Sequence, residues 1–245
     1  MTPISSIKSD KRVIVALDVE TAAEAREVIR ELGAEPAAYK IGLQLFTSAG
    51  PEFVREVASE YKVFLDLKFH DIPNTVAKSA VEATRLGVWM FNVHASGGGE
   101  MMRRTIGEVD SACQKENRKR PLVIGVTVLT SSDAKTLRET GIEREAEDQV
   151  LHLSRLASEC GLDGVVASPL EVSLIRRGVE RSDFVIVTPG VRPDFATNDD
   201  QKRVMNPRSA VSEGSDFLVL GRPILQATDR TLALRRICEE IDAAD

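Results

Sequence analysis

The sequence predicts an α/β fold, a TIM (β/α)8 barrel in a single domain spanning residues 1–245, on three observations. Eight short runs rich in β-branched and apolar residues recur along the chain, each nearly continuous, as strands covered on both faces must be. Helical patterns fill the intervals, which makes the strands parallel, and eight such units close naturally into a barrel. A length of 245 residues is long for an ordinary domain and normal for this one. A doubly wound open sheet shares the alternation. It is disfavoured because no G-x-G-x-x-G follows the first strand, and "SGGGE" after the fourth is a poor substitute.

The strands are read in order at 13–18, 38–42, 62–68, 88–93, 122–128, 164–167, 184–187 and 217–220. Helical patterns at 22–32, 74–86, 99–115, 146–160 and 228–241 lie between or after them. The run "KENRKR" at 115–120 is read as a solvated helix end leading into the fifth strand. The longest connection runs from Val187 to Asn206 and carries Gly, Pro, Arg192 and Gln201. A loop of that length in a compact domain is functional or disordered, and here an active-site lid around 188–205 is expected.

Composition narrows the function. The chain is 42% apolar and 29% charged with a formal charge of -6, so no broad cationic footprint for nucleic acid is present. Three widely spaced cysteines form neither a zinc pair nor a disulfide framework, which fits a reducing cytoplasm. The start lacks an apolar leader core and no stretch approaches 18 uninterrupted apolar residues, so neither secretion nor a membrane is expected.

The chemistry concentrates in "VFLDLKFHDIPNTV", residues 63 to 76, where a buried strand fills with charge. Residues two apart in a strand share a face, so Asp66 and Lys68 are expected to project together from its end, with Asp71 in the loop beyond. "VIVALD" ends in Asp18, and "AAYKIG" places Lys40 near another strand end. Any one of these charges could belong to a structural ion pair. Their convergence on the end of the barrel that carries chemistry favours a site. Opposite them, "VTPGVRP" and "LGRPI" follow the seventh and eighth strands, where such barrels often bind phosphate. Gly221 allows close backbone approach there and Arg222 offers a guanidinium fork. His70 lies inside the charged stretch, His94 ends the fourth strand and His152 sits in a helix, without zinc-ligand spacing. Asp66 and Asp71 could hold Mg²⁺, but Lys40 and Lys68 oppose a divalent cation, so no metal is expected.

Together, "LDLKFHDIPNT", "ALD", "YKIG", "NVHASGG", "VTVLTS", "TPGVRP" and "GRPI" closely resemble the orotidine 5′-phosphate decarboxylase family of the bacterial type, from Asp18 to Arg222. The D-x-K-x-x-D core is shared by a wider barrel superfamily, whereas the extended stretch is specific. The resemblance implies decarboxylation of orotidine 5′-phosphate to uridine 5′-phosphate, the last step of de novo pyrimidine synthesis, by a homodimer without metal or organic cofactor. It implies that Asp18 and Lys40 hold the ribose hydroxyls, and that Lys68 donates the proton beside Asp66 and an Asp71 from the partner subunit. It places Ile72 among the substrate-binding positions, Thr75 on the ribose across the interface, and Thr130 on the pyrimidine. Gln201, Gly221 and Arg222 fall on the phosphate, with Arg192 on the lid side. Two other readings stand beside it: a Mg²⁺-dependent sugar-phosphate decarboxylase or aldolase of the same superfamily, and a nucleotide-binding barrel that performs no chemistry.

Overall fold

A computed structural model describes residues 11–195 and 205–242. Its eight strands are β1 (Val13–Ala16), β2 (Ala38–Gly42), β3 (Val63–Phe69), β4 (Met90–His94), β5 (Leu122–Val126), β6 (Gly164–Val166), β7 (Val185–Pro189) and β8 (Phe217–Leu220). They pair in parallel in chain order, and β8 returns to β1 to close the barrel. All eight expected strands are present, β2 and β8 with the expected ends and the other six with an end shifted by one or two residues. β1 stops at Ala16 and β5 at Val126, each two residues before the expected end, because the chain leaves the ladder as it turns into the mouth loops. Asp18 therefore stands just beyond β1 and not in it.

Helices cover the outside: α1 (Ala22–Leu32), α2 (Leu43–Glu60), α3 (Pro73–Arg85), α4 (Gly98–Glu116), α5 (Ala134–Glu139), α6 (Ala146–Glu159), α7 (Val172–Gly178), α8 (Pro207–Ser212), α9 (Arg222–Leu225) and α10 (Arg230–Asp242). Local chemistry sets their ends. Thr21 caps α1 by accepting the Glu24 N–H, and Asp133 caps α5 by accepting the Thr136 N–H. Pro73 opens α3 at a position that has no backbone partner to lose. α2 kinks at Gly50, whose φ of 75° precedes Pro51.

Strand alternation divides the core in two. Val13, Val15, Tyr39, Ile41, Val63, Leu65 and Phe91 face the helices, while Ile14, Ala16, Ala38, Phe64, Met90, Ile124, Val187 and Val219 fill the barrel. The inner positions explain where polar groups emerge. One step further along the same parity, Ala38 leads to Lys40, Phe64 to Asp66 and Met90 to Asn92. A polar layer thus rests on an apolar one at the C-terminal mouth.

Candidate active site

Lys40 Nζ lies 2.9 Å from Asp18 Oδ1 and 3.4 Å from Asp66 Oδ2, and Lys68 Nζ lies 2.6 Å from Asp66 Oδ1. Asp66 thus sits between two ammonium groups. Burial disfavours its charged form, but Lys40, Lys68 and the hydrogen bonds from Lys68 and Asn92 outweigh burial and hold its pKa below the usual aspartate value. For Lys40, burial likewise opposes the charge, and Asp66 and Asp18 outweigh it and raise the pKa. Room for Lys40 comes from Gly42 at the end of β2, where a Cβ would lie 3.0 Å from Nζ.

Asp66 and Lys68 do meet, but not through simple alternation. The β3–β4 register passes from Leu65 opposite Phe91 to Phe69 opposite Val93, so three residues of β3 bulge across from Asn92 alone. Lys68 adopts φ 52°, a left-handed backbone rare for a lysine, and this bulge turns its side chain back onto Asp66.

These charges line one wall of a cavity of about 270 Å³. Asp18, Lys40, Asp66, Lys68, Thr130, Arg192, Gly221 and Arg222 all border it, so eight of the predicted site residues converge. Phe64, Val126, Val166 and Val219 form its apolar floor, and Pro189 and Gly190 lie beside Arg192. The cavity offers a cationic rim at Arg192 and Arg222, an apolar bed, and a fixed row of alternating charge.

Asp71, Ile72 and Thr75 are not brought to the cavity. All three are exposed, Ile72 to 66%, and the Asp71 carboxylate accepts its neighbour's Ile72 N–H at 2.7 Å. Gln201 lies outside the described residues, as does half of the expected lid, residues 196–204. What is described of that loop is its base, where Val191 pairs with Met205 and the Arg192 N–H donates to Met205 O at 3.0 Å.

His94 does end β4, and its ring centroid lies 5.3 Å from that of His70. Burial, then the neighbouring His70 and Lys68, push its pKa below the ordinary histidine value. Among the described residues no group of three or more His, Cys, Asp or Glu side chains could hold a metal ion. The "KENRKR" run is more than a solvated end, because Arg120 is half-buried and bridges Asp110 and Asp163. Sequence reasoning missed Asn92 and Gly42. The signal for Asn92 was available, since it is the one amide in the otherwise apolar "MFNV" of β4.

The chain is similar to known proteins over nearly its whole length. The sequence model described as "Orotidine 5'-phosphate decarboxylase / HUMPS family" matches residues 11–237. A protein of Syntrophotalea carbinolica named orotidine 5′-phosphate decarboxylase is 54% identical over 97% of this chain and 98% of its own. One of the same name from Geobacter sulfurreducens is 50% identical over 95% of this chain and 97% of its own. The crystal structure of orotidine 5′-phosphate decarboxylase from Lactobacillus acidophilus superposes with a TM-score of 0.83 at 35% identity, covering 95% of this chain and all of the other.

Proposed function

The chain belongs to the orotidine 5′-phosphate decarboxylase / HUMPS family, and from that membership we propose how its barrel mouth performs the reaction. The protein decarboxylates orotidine 5′-phosphate to uridine 5′-phosphate and CO₂, a step of pyrimidine biosynthesis. The observation that carries the mechanism is the Asp18–Lys40–Asp66–Lys68 row along the cavity wall.

Loss of CO₂ from C6 of the pyrimidine leaves an electron pair in the ring plane, where the ring carbonyls cannot delocalise it. Stabilisation must then be electrostatic, by charges already in place. Lys68 Nζ supplies the cation beside the developing carbanion and then delivers a proton to C6. Asp66, 2.6 Å from that ammonium, fixes its position. Asp18 and Lys40 hold the ribose hydroxyls and Thr130 contacts the pyrimidine. Gln201, Gly221 and Arg222 receive the phosphate, with Arg192 on the side of a lid formed by residues around 188–205. Charge-assisted hydrogen bonds contribute roughly 1.5–3 kcal/mol each, so phosphate binding far from C6 can hold the base against the charges.

The site is completed by a second copy of the chain. Asp71 is exposed and, among the described residues of one chain, its carboxylate bonds only its neighbour's N–H, with Ile72 and Thr75 exposed beside it. In a two-fold dimer these residues reach the partner's cavity, with Asp71 approaching Lys68. The reaction calls on no metal or organic cofactor: Lys40 and Lys68 beside Asp66 oppose a divalent cation, and electrostatic stabilisation needs no electron sink. The cytoplasm is the matching compartment, since Cys113, Cys160 and Cys238 form no disulfide with one another among the described residues. The sugar-phosphate and non-catalytic readings give way to relatives of about half identity that carry one name.

Subunit mixing tests the shared site. Lys68→Ala and Asp71→Ala homodimers should each be impaired. After exchange, a heterodimer holds one site with both lesions and one with none. With random exchange about half the dimers are mixed, so about a quarter of wild-type activity should return. No recovery in heterodimers verified by native mass would return Asp71 to its own subunit's site.

A further inference from the structure

Asn92 sits in the inner polar layer of β4, fully buried, with its side chain divided between two neighbours. Its Oδ1 accepts the backbone N–H of Lys68 at 2.8 Å, and its Nδ2 donates to Asp66 Oδ1 at 2.7 Å. The amide has one workable orientation. A backbone N–H can only donate and an ionised carboxylate can only accept, so a flipped amide would set donor against donor and acceptor against acceptor. Around it, β3 leaves regular pairing, with residues 66–68 opposite Asn92 alone. Lys68 holds a left-handed φ of 52°, which a side chain with a Cβ adopts only where its surroundings compensate. Its N–H, which an unbroken ladder would pair with a β4 carbonyl, goes to the Asn92 side chain instead. An apolar residue of similar size would fill the space but leave that N–H without its acceptor and Asp66 short of one donor.

We infer that Asn92 is a positioning residue for the reaction, holding the bulge that aims Lys68 and seating the Asp66 carboxylate between its two lysines. This rests on the reading of Asp66 and Lys68 as the reacting groups. Asn92 does not border the cavity and acts through those two residues. The charged and titratable groups around it are Asp66 and Lys68 from β3, Lys40 from β2 with Asp18 behind it, and His94 further along β4 with His70 beside it.

The test compares Asn92→Leu, Asn92→Asp and Lys68→Ala by kcat and KM for orotidine 5′-phosphate between about pH 5 and 8, with circular dichroism confirming the fold. Asn92→Leu removes both bonds and should lower kcat roughly tenfold or more at every pH, with KM changed far less. Asn92→Asp keeps the acceptor for the Lys68 N–H. Its carboxyl donates to Asp66 when protonated and repels it when ionised, so its kcat deficit should be large at the high end and shrink as pH falls. Rescue by protonation is a response that a packing role would not give. The inference is overturned if folded variants keep kcat within about twofold of wild type, or if the Asn92→Asp deficit is the same at every pH. Should Asn92→Leu fail to fold, Asn92→Asp, which keeps size and shape, decides alone. Near-normal kcat in Lys68→Ala would bring down the reading beneath the inference. An inactive Lys68→Ala beside normal Asn92 variants would bring down the inference only.

Discussion

The two ends of the barrel both bury ion pairs, and they use them differently. At the N-terminal base, Arg176 donates to Asp216 Oδ2 at 2.5 Å and also to the carbonyls of Gly214 and Phe184. Asp216 in turn accepts the Ile186 N–H at 2.7 Å. Arg120 and Asp163 repeat the arrangement, with Asp163 accepting the Val123 N–H at 2.7 Å. Each of these charges finishes a backbone group left over where a strand begins. At the mouth, Lys40, Asp66 and Lys68 bond other side chains, and among the described residues the lysine ammonium groups make no hydrogen bond to a carbonyl. Lys68 remains 36% exposed toward the cavity. Charges whose bonds end on the backbone stabilise the fold. Charges bonded to one another beside a cavity keep capacity for a ligand, in line with the division of labour in such barrels.

That contrast can be broken by substitution. The largest effect is expected at Lys68, the proposed proton donor: Lys68→Ala should lower kcat about a thousandfold or more in a folded protein. Retained turnover, followed by the absorbance loss of orotidine 5′-phosphate, would place proton donation elsewhere. Next comes Arg222→Ala, which should lower kcat/KM for the nucleotide by about 10- to 100-fold. The phosphate-free nucleoside should react slowly and nearly equally with both enzymes, and an equal loss for both substrates would assign Arg222 a structural role. The smallest effect concerns pH. Asp66 has its pKa lowered in the folded state, so its contribution to stability is complete above the ordinary value of 3.8 and is lost as pH falls through the folded value. The thermal midpoint advantage of wild type over Asp66→Asn should therefore be flat from neutral pH down to the region of 3.8 and shrink only below it. An advantage already lost near pH 6 (about two units higher) would mean that the lysines do not hold the carboxylate ionised.

The barrel itself was legible because strands buried on both faces leave nearly continuous apolar runs, and the inner parity carried Lys40 and Asp66 to the mouth. The contact between Asp66 and Lys68 was read correctly for an incomplete reason. Alternation alone puts both on one face, whereas the bulge and the left-handed Lys68 turn the ammonium onto the carboxylate. That bulge depends on Asn92 in the next strand, and no local pattern in β3 announces it. Strand ends at Ala16 and Val126 were also overrun, since Leu17 and Thr127 are as strand-like in type as the residues before them. Asp71 and Thr75 could be named from the motif but not placed, because both are exposed and neither borders the charged cavity.

The most direct measurement sets Lys68→Ala against Arg176→Ala, with kcat and the unfolding free energy taken on the same preparations. The account predicts that Lys68→Ala loses turnover about a thousandfold while changing stability by roughly 1 kcal/mol or less. Arg176→Ala should lose roughly 2–4 kcal/mol of stability, by leaving Asp216 and two carbonyls without their donor, while its folded fraction turns over at the wild-type rate. If both substitutions lowered kcat and stability together, the mouth and the base would not be separate devices, and the assignment of chemistry to the mouth would be contradicted.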